Sequence, residues 1–209
     1  MKPSTHHPLL KWAAAGAAAL LLAACATSAK VEAQWVDPQL KGRSFAGKRV
    51  LVVCEASDQT LRRLCEEQLA SEVIAFGGSV TRAAEGASLP DATAHLPAAG
   101  KAGAVAVVRG VVTPTAQSFN PGPQFSFGIG GFGGGGSNSS VGGGVGVSVP
   151  AGAGSVSTGY GIDLGITDVT TGKLVWTAKT TTPPSADVGA QMVDLARTSM
   201  TAARAAGVI

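Results

Sequence analysis

Eleven of the nineteen residues from 128 to 146 are glycine. Such a tract buries almost no side-chain area, and glycine loses more backbone freedom on ordering than any other residue. A packed core must therefore be built from the chain before and after it, and a mobile loop is expected at its centre. Its flanks read differently. Phe125, Phe127 and Ile129 alternate with Ser126 and Gly128, and Val145, Val147 and Val149 alternate with Gly146 and Ser148. Period-two alternation is the mark of a half-buried strand. The whole insertion, about 120–155, is expected to be a long hairpin that extends a soluble sheet.

The first 24 residues are apart from any fold. Lys2 and Lys11 supply positive charge, and residues 12–24 (WAAAGAAALLLAA) are apolar or small throughout. Thirteen such residues suit the apolar core of a secretory signal and fall short of the ~20 that a membrane-crossing helix needs. Leu22-Ala23-Ala24-Cys25 resembles the lipobox of bacterial lipoproteins, with cysteine as the residue that separates it from an ordinary signal site. The resemblance implies removal of residues 1–24, a diacylglyceryl thioether on Cys25 and an acylated new N-terminus. Several acyl chains give lasting attachment to a membrane. Ala26 stands where an acidic residue would favour the inner membrane, so the expected location is the outer membrane, facing the periplasm.

Loss of the signal also changes the charge. The full chain has 16 Lys+Arg against 13 Asp+Glu. Without Lys2 and Lys11 the balance is 14 to 13, and no basic run exceeds a pair (Lys48-Arg49, Arg62-Arg63). Nucleic acid is therefore excluded as an expected partner.

Residues 25–47 read as a lipidated tether, with Trp35 pinning it to the body, and residues 48–209 as one α/β domain. Residues 48–54 (KRVLVVC) form an apolar run suited to a strand covered on both faces. Ser57-Asp58 opens an amphipathic helix to about Phe76, with Leu61, Leu64, Cys65, Leu69, Val73 and Phe76 on one face. Gly77-Gly78 ends it. A short strand follows at residues 79–82, then an Ala-rich stretch broken by Pro90 and Pro97 that holds a short helix. Further strands are expected at 104–112, 160–168 and 173–179, the last two joined through a turn at 170–172. A helix from about 185 to 206 closes the chain, with Val188, Met192, Leu195, Ala196, Met200 and Ala203 on its apolar face. The fold class is thus α/β: a mixed sheet flanked by two main helices.

Candidates for chemistry are sparse. Cys54 and Cys65 in an oxidising compartment suggest a disulfide, and two buried free thiols are the other reading. A C-x₁₀-C pair without further ligands is no metal site, and His95 is the only histidine after residue 24. His95 reads as a surface histidine. No G-x-S-x-G elbow occurs, since Gly154-Ser155-Val156-Ser157 lacks the spacing. The G-x-G-x-x-G match at residues 128–133 is followed by more glycine where a helix is required, so no dinucleotide is expected. Asp163 and Asp168, five residues apart on one strand, fall on opposite faces, which is poor geometry for paired acid–base work. Asp168 is expected to start the turn at 170–172 through bonds to local backbone. No catalytic residue, cofactor or metal is expected.

Residues 160–168 (YGIDLGITD) followed by Thr171-Gly172-Lys173-Leu174-Val175-Trp176 resemble a hairpin of periplasmic lipoprotein families. These include the curli-secretion-channel lipoproteins, the penicillin-binding-protein-activator lipoproteins and small lipoproteins whose strands end in a Leu-Val-Trp motif. The resemblance implies a small α/β body that is not an enzyme and works by binding partners or assembling. It carries no individual site residue onto this chain. The leading expectation is a non-catalytic outer-membrane lipoprotein acting as scaffold, adaptor or assembly factor on an envelope protein, with oligomers among its forms. Two others stand beside it: an oligomeric channel that inserts the 125–149 hairpin, and a periplasmic hydrolase with an unrecognised site.

Overall fold

Val50, Val52 and Cys54 point to one side of the first apolar run, and Leu51 and Val53 to the other; all five are buried. A strand that is apolar on both faces belongs in the middle of a covered sheet, and that is where it lies. The computed structural model describes residues 28–40, 43–82, 92–120, 124–128, 146–150 and 155–209. Its strands are β1 (Lys30–Val36), β2 (Arg49–Glu55), β3 (Ser79–Arg82), β4 (Ala106–Asn120), β5 (Gln124–Gly128), β6 (Gly146–Pro150), β7 (Ser155–Asp168) and β8 (Leu174–Thr181). Its α-helices are α1 (Gln59–Ala75), α2 (Leu96–Lys101) and α3 (Val188–Ala205). Six strands form one mixed sheet in the order β1-β8-β7-β4-β2-β3. β2 is parallel to β3 and β4, and the other neighbours are antiparallel.

Both long helices cover the same face. Cys65, Leu69 and Val73 of α1 and Met192, Leu195, Ala196, Met200 and Ala203 of α3 join Val50, Val52, Val108, Ile162, Leu164, Ile166 and Trp176 in one core. Each fully buried large side chain there contributes about 1.5–3 kcal/mol. The helix ends follow their sequence signals. Asp58 accepts the backbone N–H groups of Thr60 and Leu61 at 2.7 and 3.1 Å, capping α1. At the other end Gly77, at φ +83°, donates to the carbonyl of Ile74, and Gly78 donates to that of Val73. This is the paired closure that a left-handed glycine permits. α3 begins three residues later than expected, because Asp187 caps it through the N–H of Ala190 while Ser185 bridges to Thr158.

Four expectations need correction. The supposed tether, 25–47, contributes β1: Lys30–Val36 pairs antiparallel with β8 as an edge strand, and Ala29, Leu40 and Phe45 are buried. An edge strand wetted on one side tolerates Lys, Glu and Gln, which is why its sequence reads as a linker. Pro97 does not break the Ala-rich stretch. It sits in the first turn of α2, where its missing N–H has no helical partner to lose. β4 and β7 run well past 112 and before 160, pairing from Ala106↔Asp168 to Asn120↔Ser155. Thr113–Asn120 shows no apolar alternation because every residue of it is exposed. Finally, β5 and β6 pair Phe125↔Val149 and Phe127↔Val147 as a two-stranded sheet of their own, and do not extend the six-stranded one. Each has five residues, fewer than the ~9–11 of a membrane-spanning strand. The expected mobile centre at 129–145 lies outside the described residues.

Candidate functional site

Cys54 is the next-to-last residue of β2 and Cys65 faces the core from α1; they are joined by a disulfide with Cα atoms 6.0 Å apart. The bridge fastens α1 to its own strand, and the Glu66 carboxylate accepts the N–H of Cys54 at 3.3 Å alongside it. Cys25, the expected lipidation site, lies outside the described residues, as do the glycines of 129–133 and Gly154.

The second face of the sheet is built differently. Among the described residues it is covered at the β2/β4 corner, where α2 and the 3-10 turn Ala92–His95 lie over Leu51, Val53 and Val107. At this corner Arg109 grips Glu55 through two parallel bonds, Nε to Oε1 and Nη2 to Oε2, both 2.8 Å. Both side chains are about one-fifth exposed. His95 overturns its expectation as a surface residue: it is 1% exposed and its Nε2 has no hydrogen-bond partner. The backbone turn that precedes α2 carries it inward, a placement that spacing along the sequence does not announce. Burial pushes its pKa below the usual 6.5; the Glu55 carboxylate pulls it back and the Arg109 guanidinium adds to the depression.

Away from that corner no described element covers the second face. One row of register partners crosses this face from Trp35 through Thr177 and Gly165 to Arg109 and Val53 at the covered corner. Strand alternation puts Trp176, at 0% exposure, on the helix-covered side and its neighbour Thr177 on the other. Trp35 is 46% exposed and Leu174, packed beside Gly165, is 43% exposed. Trp35 therefore presents an indole on the sheet surface instead of pinning a tether. One row along, Lys179 pairs with Asp163 at 3.7 Å, both about half exposed. Asp168 is turned away and buried, with Oδ1 accepting the N–H groups of Thr170 and Thr171 and Oδ2 meeting Arg43 at 3.2 Å. The two aspartates are not brought together.

Where β7 leaves the six-stranded sheet, a polar clamp holds it to α3. Gln191 Nε2 donates to the carbonyls of Thr158 and Ser185 at 2.9 and 3.1 Å, and its Oε1 accepts the hydroxyl of Thr182 at 2.6 Å. Ser199 donates to Thr180 at 2.8 Å, both fully buried. Gly159 passes so close to the chain after β8 that a Cβ there would lie 2.7 Å from the carbonyl oxygen of Thr182. Sequence reading missed Gln191, whose only signal is a polar residue on the apolar stripe of α3.

Among the described residues, no three His, Cys, Asp or Glu side chains gather in a way that could hold a metal ion. No described helix is long and apolar enough to cross a membrane. Among the described residues the arrangement offers surfaces for contact: an uncovered sheet face with an exposed indole, an unpaired outer edge on β1 and a separate two-stranded ribbon.

No protein-family model and no curated protein matches the chain. Among solved structures it is similar to the PelC dodecamer from Paraburkholderia phytofirmans, with TM-score 0.49 and 15% identity over 82% of this chain and 96% of that one. A single-substitution variant of the same dodecamer gives TM-score 0.50 and 16% identity over 83% and 96%. At such identity the likeness is one of fold, and it spans nearly the whole of the PelC chain.

Proposed function

We propose that this chain is a non-catalytic lipoprotein of the bacterial outer membrane, facing the periplasm and held there through Cys25, that acts by protein contact as a scaffold, adaptor or assembly factor. The observation that carries the reading is the sheet face that no described element covers, with Trp35 46% exposed and Leu174 43% exposed beside it. A large aromatic on a flat surface costs little conformational entropy to immobilise and supplies much contact area, which is why such residues concentrate at interfaces. The PelC neighbour is a dodecamer, so a second copy of this chain is the first partner to look for.

Amine-reactive crosslinking in intact cells tests the reading, because Lys179 lies on the same face as Trp35. The expected product is one adduct of defined mass, containing either a second copy or a distinct envelope protein, that disappears in Trp35→Ala. An adduct pattern indifferent to Trp35→Ala sinks this surface as the contact. Labelling of the folded protein by a serine-reactive probe would favour the hydrolase instead.

A further inference from the structure

We propose that the ribbon formed by residues 114–120 of β4 and 155–160 of β7 rests against the lipid bilayer, with Phe119 and Val156 as its contact. The inference rests on the lipid anchor at Cys25 given above.

Among the described residues no named strand lies beside the ribbon, and the chain after β8 meets only its root, through the Thr158↔Ser185 bridge. β2 pairs with β4 as far as Glu55↔Val111, and β8 with β7 as far as Gly161↔Thr181. Past those pairs β4 and β7 have one another. A register shift between Pro114 and Ala116 marks the departure, a position where proline costs no ladder bond and extra twist is introduced. Near the far end Phe119 and Val156 are register partners, 67% and 60% exposed. Two apolar side chains side by side on a wetted ribbon are unsatisfied by the rest of the described molecule.

Charge says what kind of surface suits them. From Gly110 to Ile162, 53 consecutive residues include no Asp, Glu, Lys, Arg or His, in a chain that is 14% charged as a whole. A hydrated arm would gain solubility from charge, whereas an arm laid on lipid would be penalised for it.

Position names the occupant. Lys30, Thr181, Gly161 and Thr113 form one row across the sheet. The chain thus enters the sheet at the end from which the ribbon leaves. Ser28 lines a groove together with Thr115 and Ala116. From Ser28 back to Cys25 is three residues, at most about 11 Å of chain. From Ala116 out to Phe119 is also three residues, about 10 Å along a strand. Three residues of chain are thus long enough for the acylated sulfur to lie as far beyond the sheet end as Phe119 does. Acyl chains drawn into a bilayer would bring Phe119 and Val156 down onto its surface.

The test uses full-length, lipidated protein in vesicles of phosphatidylethanolamine and phosphatidylglycerol. An environment-sensitive dye is attached at Phe119→Cys, with Cys54 and Cys65 bridged and Cys25 acylated. A control dye sits at Ser71→Cys on the exposed side of α1. Blue-shifted emission and quenching by nitroxide lipids several-fold stronger at 119 than at 71 is the expected result. Equal quenching at both positions on vesicle-bound protein overturns the proposal and leaves the anchor standing. A blue shift that tracks protein concentration without lipid overturns it in favour of a second copy on the ribbon. Absence of acyl mass on residue 25 removes the anchor, and the proposal with it. Val156→Cys, labelled in the same way, repeats the test if Phe119→Cys does not fold.

Discussion

Gly110, the register partner of Cys54, sits directly under Cys65: a Cβ on Gly110 would lie 3.3 Å from the Cys65 Sγ and 2.8 Å from the Ile162 Cδ1. The disulfide and the glycine are therefore one design. The bridge draws α1 down onto the sheet, and the strand beneath has no side chain to hold it off.

Removing the bridge should cost about 3 kcal/mol, the loop-closure value for a link between residues 11 apart. For a domain of this length that is a fall in Tm of roughly 6–12 °C. Thermal melts of the double variant Cys54→Ser, Cys65→Ser, or of the native protein under reductant, measure it. An unchanged Tm in reductant would show that the thiols are not linked in solution.

Gly110→Ala should destabilise by about 1–3 kcal/mol, because the added methyl overpacks a layer already in contact. Ile162 can give a little at its flexible end; the bridged Cys65 cannot. In the double cysteine-to-serine background the cost should shrink, since α1 is free to lift. Denaturant titration of the single and combined variants reads that coupling. Strict additivity would show that glycine and bridge act independently.

The sequence made the covered half of this fold legible and left the wetted half obscure. β2, α1 and α3 bury full apolar stripes, and their period and caps are written in Leu69, Val73, Met192 and Asp58. β1 and the outer part of β4 and β7 bury little, so nothing in their side chains had to alternate. They are held by backbone pairing to neighbours distant in sequence, which one-dimensional patterning does not record. His95 is illegible in the sequence for a related reason. Its inward placement is set by a 3-10 turn and by packing on β2 and β4, not by any stripe of its own.

Gln191→Leu should cost about 1–3 kcal/mol although it removes a polar group from a buried site. The carbonyls of Thr158 and Ser185 and the hydroxyl of Thr182 would each lose a partner in a place water does not reach freely. Because Thr158 stands at the root of the ribbon, the amides of 155–160 should exchange hydrogen faster than those of β8. Exchange rates raised uniformly across the sheet would mean that Gln191 supports the whole core and not the ribbon root.

His95 gives the fold a dependence on pH whose sign is fixed by its surroundings. Burial beside Arg109 holds the imidazole neutral in the folded protein, with Glu55 opposing, so its folded pKa lies below the unfolded value near 6.5. The stability tied to this group is then present above about pH 6.5 and is lost as pH falls through the depressed folded value, because unfolding releases a histidine that takes up a proton. His95→Leu is close to it in volume, carries no unpartnered Nε2 and should stay within about 1.5 kcal/mol of the parent at neutral pH. It should also unfold with a shallower loss of stability between pH 7 and 5, since the carboxylates that remain are common to both proteins. Urea titrations at several pH values compare the two, and parallel curves for parent and variant would show that His95 stays solvated and that the turn before α2 does not seal it.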